Sequence, residues 1–576
     1  MSSVTELLQK NFEWQLENEP SRRTMLGLAG IHDQWEAIDE GSELRRVKRW
    51  QADLNDLNAM SAESWSSEDC LNADIFRHLA NLRIDRQHFL DHESPVGLFG
   101  YNILVPFILT TYQPLRNAED IECYVKRVQN VTRLFDELIG VIRVRERRGF
   151  TLPKSSYGPL IESCRGILRG QPFDDDSQQS GPLADACAKI QAMTIGEALK
   201  SRAMSNVAAA LRDYLAPAYK RLIECLEDVQ AKAREEHGVW RLPRGEDYYA
   251  YTLRYHAETG LSAEEIHIIG RNEVIEVQEE IRKVAENLGE TLSLSQFFET
   301  LRSTDKYHYP SGADGRNQMM TDARAILERV DSRLPHYFTF LPKARVELEP
   351  IPSHMEETSP IALYRPGTWD GSTPGAYLLN LRDPSAMPRY LMEALAVHEA
   401  IPGHHLQLAL VNELEHLPGF RRHQDMLTAY TEGWALYAER LADDMGIYGT
   451  PMARLGYLVM WLWRSARLVV DTGIHALRWS RDDAIGYFLQ NTPLRRQQIE
   501  AEVDRYIQWP GQAVAYRLGC RSILELRATA ERRLGAKFDL ADFHAVVLGS
   551  GQVPLLSLRK QVDTWTKLKG AMICIM

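Results

Sequence analysis

Arg389-Tyr-Leu-Met-Glu-Ala-Leu-Ala-Val-His398-Glu399-Ala-Ile-Pro402-Gly403-His404-His405-Leu-Gln407 sets three imidazoles and a carboxylate within eight consecutive residues, at the end of a helical run. Leu391, Leu395 and His398 fall three to four residues apart, and Pro388 stands where a first helical turn accepts proline. The spacing predicts a helix that carries His398 and Glu399 towards the core. Imidazoles and a carboxylate gathered in this way are divalent-metal chemistry.

In the His-Glu-x-x-His pattern of zinc hydrolases, two imidazoles share one helical face and the glutamate beside the first stays free as a base. Here the position of the second histidine is Pro402, and the next histidines stand six and seven residues after His398. On an unbroken helix His405 would lie roughly 10 Å along the axis from His398. Pro402 cannot donate its backbone hydrogen bond and Gly403 tolerates unusual dihedrals, so a kink there can bring one later histidine back. Either His404 or His405 can then complete the pair. A third ligand is offered by Thr428-Ala-Tyr-Thr-Glu432-Gly-Trp-Ala-Leu436-Tyr-Ala-Glu439, where Glu432 lies on a semi-apolar helix face with Leu436 one turn on and Glu439 two turns on. One Zn2+ ion held by His398, His404 or His405, and Glu432, with Glu399 as general base, is the expected site.

His398-Glu-Ala-Ile-Pro-Gly-His-His-Leu-Gln407 resembles the signature of the bacterial DUF885 family, whose members resemble helical zinc metallopeptidases of the gluzincin type. Thr431-Glu-Gly-Trp-Ala-Leu-Tyr-Ala-Glu439, Arg467-Leu-Val-Val-Asp-Thr-Gly-Ile-His475, Arg505-Tyr506 and Pro510-Gly-Gln-Ala-Val-Ala-Tyr-Arg-Leu-Gly519 match as well. The resemblance is strongest over roughly residues 240 to 560. It implies a zincin-like metallohydrolase and names no substrate; a large two-lobed enzyme cleaving a peptide is the expectation, with a hydrolase of a small amide and a noncatalytic metal-containing binding protein as the alternatives. By analogy with helical zinc peptidases, Tyr516 is the expected oxyanion donor. Arg505, Gln512 and Arg517 are candidates for a substrate carboxylate or carbonyl. Related enzymes lay substrate along an edge strand, which makes Gly375 to Asn380, with Tyr377 and Asn380, a candidate rail.

Outward from this stretch the pattern is helical almost throughout. Ser262 is expected to cap a helix with Glu265 as its capping-box partner, and Pro217 to kink or break another. Between Ala344 and Leu381 the period shortens, and Val346, Leu348, Ile361-Ala-Leu-Tyr and Ala376-Tyr-Leu-Leu-Asn-Leu predict a small antiparallel sheet leading into the metal helix. Leu455 to Leu477 reads as a long apolar helix. Asp471 and His475, four apart on it, are expected to touch, either orienting a metal ligand or forming an ordinary surface pair. Gly238 to Tyr249 interrupts the pattern, which predicts an N-terminal helical lobe over 1–238 and a metal-bearing lobe over 239–576.

The 576 residues can bury a large core, and 44% hydrophobic with 25% charged residues is ordinary for a globular protein. A net charge of −12 argues against nonspecific binding to nucleic acid or acidic membrane. No apolar run reaches the length of a membrane span, and the first residues lack a secretory apolar core. Seven scattered cysteines without a C-x-x-C pair suggest reduced thiols and a cytoplasmic setting.

Overall fold

The computed structural model describes residues 3–571 apart from 99, 353–355, 357, 358 and 370, so Cys574 lies outside the described residues. The fold is mostly α-helical with one three-stranded sheet. The helices around the site are, in chain order, α1 (Ser67–Arg86), α2 (Gly245–Ala257), α3 (Ala263–Asn287), α4 (Met392–Glu399), α5 (His404–Glu413), α6 (Thr428–Asp444), α7 (Pro451–His475), α8 (Arg496–Gln508), α9 (Gln512–Leu534) and α10 (Leu555–Ala571).

Local sequence accounts for many of the boundaries. Ser262 Oγ accepts the Glu265 amide at 3.2 Å while Glu265 Oε2 accepts the Ser262 amide at 2.8 Å, which is the expected capping box of α3. Gly446, at φ +67°, ends α6 with Gly446 N bonded to Asp443 O and Ile447 N to Ala442 O. No break falls at Pro217: Glu197–Ala210, a π turn at Leu211–Leu215 and Ala216–Gln230 run on with helical dihedrals, and the π turn just before the proline accommodates its missing N–H.

The sheet corrects an expectation. Its strands, β1 (Glu347–Pro350), β2 (Ala362–Arg365) and β3 (Ala376–Leu379), stand in the order β1-β3-β2. β2 is antiparallel to β3, but β1 is parallel to it, so the sheet is mixed. Alternating apolar residues fix which face a strand buries and say nothing of its direction. All four residues of β3 are buried, as befits a central strand.

One hydrophobic core is drawn entirely from Trp35 to Val229. The largest gathers residues from Val274 to Val562 and includes Ile75 from α1. A third joins Phe89 to α2, Leu468 and Leu518, so side chains on either side of residue 238 interlock.

Candidate metal centre

α4 ends at Glu399, and Ala400 leaves helical geometry at φ −106°, ψ −101°. The Ile401–Pro402 peptide is cis. Gly403 N then bonds back to Val397 O at 3.0 Å, and α5 opens at His404. A Cβ on Gly403 would stand 2.0 Å from His398 O, so no other residue fits this turn without moving it. The turn folds the six-residue spacing back on itself, and the His398 and His404 rings meet with centroids 4.9 Å apart at 85°.

Glu432 enters from the middle of α6. Its Oε2 stands 3.3 Å from His404 Nε2 and 3.6 Å from His398 Nε2. Side-chain donor atoms of His398, His404 and Glu432 all lie within 4.8 Å of one another. Ligands bonded to zinc at about 2.0–2.1 Å occupy tetrahedral corners roughly 3.4 Å apart, close to the 3.3 and 3.6 Å from Glu432 to the two imidazoles. Glu432 Oε2 is buried without a hydrogen-bond partner, as an oxygen held for a cation would be. The donor set of two imidazoles and one carboxylate leaves a fourth position open, so the residues fit a catalytic zinc ion.

A fourth side chain completes the arrangement. Glu439, fully buried two turns beyond Glu432, takes a 2.8 Å hydrogen bond from His398 Nδ1. A proton on Nδ1 leaves the Nε2 lone pair facing Glu432, and the carboxylate makes the ring a stronger donor. Arg464 NH2 lies 3.6 Å from the same Glu439 oxygen. The i+7 spacing from Glu432 was the only sequence signal for Glu439. His404 Nδ1 has no comparable partner among the described residues.

Burial lowers the His398 pKa, but the Glu432 and Glu439 carboxylates beside the ring outweigh it and lift it to about 9. Glu432 is held well below the usual carboxylate range, because the neighbouring imidazoles overcome its desolvation. Glu399 moves the other way. Burial raises it, His398 and His404 pull it down, and the Glu432 charge pushes it up again. No hydrogen bond or ion pair engages Glu399 among the described residues, which leaves the carboxylate free beside His398, His404 and Glu432.

Tyr516, on α9, stacks on His398 with centroids 6.3 Å apart and planes at 17°. Burial and the Glu432 charge raise its phenol, against Arg505 and Arg467. Gln512 donates to its oxygen, and Arg505 bonds Gln512 and Glu502.

The other expected residues lie in different settings. His405 faces away from the cluster. Its Nε2 donates to Ala344 O at 3.0 Å and its Nδ1 meets Tyr364 Oη at 3.2 Å, and burial lowers its pKa. Starting α5 at His404 turns the next ring about 100° around the axis, which is why the two neighbours part. Arg517 is spent on Glu273 at 2.5 Å and lies over Trp461. Tyr377 is fully buried with its hydroxyl on Met392 Sδ, and Asn380 ties the carbonyls of Glu356, Ser359 and Pro360. β3 is central, so its backbone edges are taken and the 375–380 segment is not an edge rail. Asp471 and His475 are both fully buried, which rules out a surface pair. Asp471 accepts from Tyr249 and Gly511, while His475 accepts from Val239 N and donates to Tyr506 O, so neither bonds a member of the His398–His404–Glu432 cluster.

Two solved structures share this architecture. One, from Colwellia psychrerythraea and described as a "putative lipoprotein", superposes with a TM-score of 0.92 at 28% identity, covering 98% of this chain and 99% of its own. Another, from Shewanella oneidensis and described as a "putative lipoprotein of unknown function", gives 0.69 at 18% identity over 97% and 99%. No curated protein matches the chain. The model of the family described as "Bacterial protein of unknown function (DUF885)" matches residues 20–562, and the chain belongs to that family.

Proposed function

We propose that this protein is a zinc-dependent hydrolase of amide bonds, most simply those of peptides. The observation that carries the reading is the convergence of His398 Nε2 and His404 Nε2 on Glu432 Oε2, a buried oxygen without a hydrogen bond, with Glu439 orienting His398 from behind. His398, His404 and Glu432 would hold the ion. A bound zinc ion supplies Lewis acidity and brings the pKa of water at its open position to about 7. Glu399, unpaired among the described residues and with its pKa raised by burial, takes the proton from the attacking water and passes it to the leaving amine. Tyr516 donates to the oxygen that becomes negative as the carbonyl carbon turns tetrahedral. A structural zinc site fills every position with ligands and has no use for a free carboxylate such as Glu399, which argues against a noncatalytic binder.

A second reading within the same chemistry is a hydrolase of small amides. The exposure of the ligands favours it, since the side chains of His398, His404 and Glu432 are only 3%, 11% and 11% accessible. A site this enclosed suits a short substrate better than a folded polypeptide.

The test is metal content together with turnover. Purified wild type is expected to carry about one zinc per chain. Glu399→Gln is expected to keep the metal and lose roughly 10²- to 10⁴-fold in hydrolysis of a mixed library of short peptides and small amides. Folded wild type that binds no metal after zinc is resupplied would sink the proposal, as would full activity in Glu399→Gln.

A further inference from the structure

We infer that Gln512 is a positioning residue that turns the Tyr516 hydroxyl proton outward, towards the reacting oxygen, and that the Glu502–Arg505 pair locks Gln512 in that orientation. The inference rests on the hydrolase reading above and deepens it.

The direction of each hydrogen bond is forced in turn. Glu502 Oε2 can only accept, and it takes Arg505 NH2 at 3.0 Å and Tyr506 Oη at 2.6 Å. Arg505 therefore stays charged, and its NH1 donates to the Gln512 side chain at 2.7 Å. A guanidinium has no acceptor, so the Gln512 atom facing it must be the carbonyl oxygen. The amide nitrogen is then left for Tyr516, whose oxygen it meets at 3.3 Å. A phenol oxygen that accepts from an N–H must place its own proton elsewhere.

Among the described residues the Tyr516 proton has no acceptor, although the ring lies flat along His398. Gln512 is only 2% exposed, so water cannot easily take its place, and it lies one turn before Tyr516 on α9, where the two side chains share a face. Arg467 sits over the same ring, its guanidinium carbon 4.6 Å from the centroid, and is itself anchored on Glu502. Fixing the donor in advance removes the cost of turning it when charge appears on the substrate oxygen.

A glutamate at 512 reverses the outcome. Its carboxylate accepts from Arg505 and from the Tyr516 hydroxyl as well, which turns the proton inward. The test is a double-substitution cycle with acetohydroxamate, whose anionic oxygen stands in for the oxyanion, as the probe on zinc-loaded protein. Tyr516→Phe and Gln512→Glu are each expected to weaken binding about tenfold to a hundredfold, the range for one hydrogen bond to a charged oxygen. Tyr516→Phe/Gln512→Glu is expected to be no weaker than either single variant, because both remove the same donor. Gln512→Leu is expected to lose less, since the freed phenol can still turn outward.

Additive losses, or wild-type affinity in Gln512→Glu, would overturn the inference. Zinc content measured on the same samples reports the hydrolase reading separately. A readout without metal is the 19F resonance of 3-fluorotyrosine placed at 516 in zinc-free protein. It is expected to move in Gln512→Glu, and an unmoved resonance refutes the inference whether or not zinc binds.

Discussion

In the proposed site Glu439 would act on a metal ligand, His398, without being one. The pair it makes with His398 is buried on both sides, and Arg464 lies beside it, so water cannot screen the contact. Replacing it by glutamine keeps the volume and one acceptor but removes the charge that strengthens His398 as a donor. Glu439→Gln is expected to weaken zinc affinity about tenfold to a hundredfold with the fold retained, measured by competition against a chelator. Glu432→Gln is expected to lose far more, because that carboxylate would bond the ion itself. Equal affinities in wild type and Glu439→Gln would remove Glu439 from the site. At this scale the sequence was partly legible. His398, Glu399 and Glu432 stand out by residue type and spacing, but the choice between His404 and His405 depended on how tightly the chain turns at Gly403, which no periodicity encodes.

The site exists because α6 and α9 cross closely enough to bring Glu432 to the Nε2 edge of His398 and Tyr516 over its face. Glycines make that approach possible. A Cβ on Gly433 would fall 2.5 Å from the Gly519 carbonyl carbon, and one on Gly519 would fall 1.9 Å from Ala429 O. Backbone cannot yield as a flexible side chain would, so Gly519→Ala must part the helices. It is expected to cost at least about 1–3 kcal/mol, read as a lower urea midpoint at unchanged slope. An unchanged midpoint would show that the crossing has slack. Helices such as α3, α6 and α7 were readable from apolar spacing and caps, because those signals are local. Which helices meet was not readable, since Gly433 and Gly519 lie far apart in the chain. The sheet itself was readable, but its strand order and directions were not, as β3 looks the same in sequence whether it is central or at an edge.

The molecule as a whole is tied across its length by buried carboxylates whose protonation enters its stability. Glu258 closes α2 and accepts the amide of Leu555 at the start of α10 at 2.7 Å, with His78 of α1 3.9 Å away. Burial raises Glu258 to about 7, and the Leu555 bond offsets only part of that. Asp471 is likewise raised to about 7 by burial, despite the hydrogen bonds from Tyr249 and Gly511. In the unfolded chain both groups titrate near about 4. Between that value and about 7 the folded protein holds protons that the unfolded chain has released, so stability must fall as pH rises. The contribution of each group is fully present below the unfolded value and lost once pH passes the folded one. The slope is about 1 kcal/mol or slightly more per pH unit for each group. Glu258→Gln keeps an acceptor for Leu555 and cannot ionise, so it is expected to be least different from wild type near pH 4 and to gain on it steadily towards pH 7. Denaturant midpoints of the two proteins across that interval measure the difference directly, and parallel curves would show that Glu258 ionises in the folded state as freely as in water.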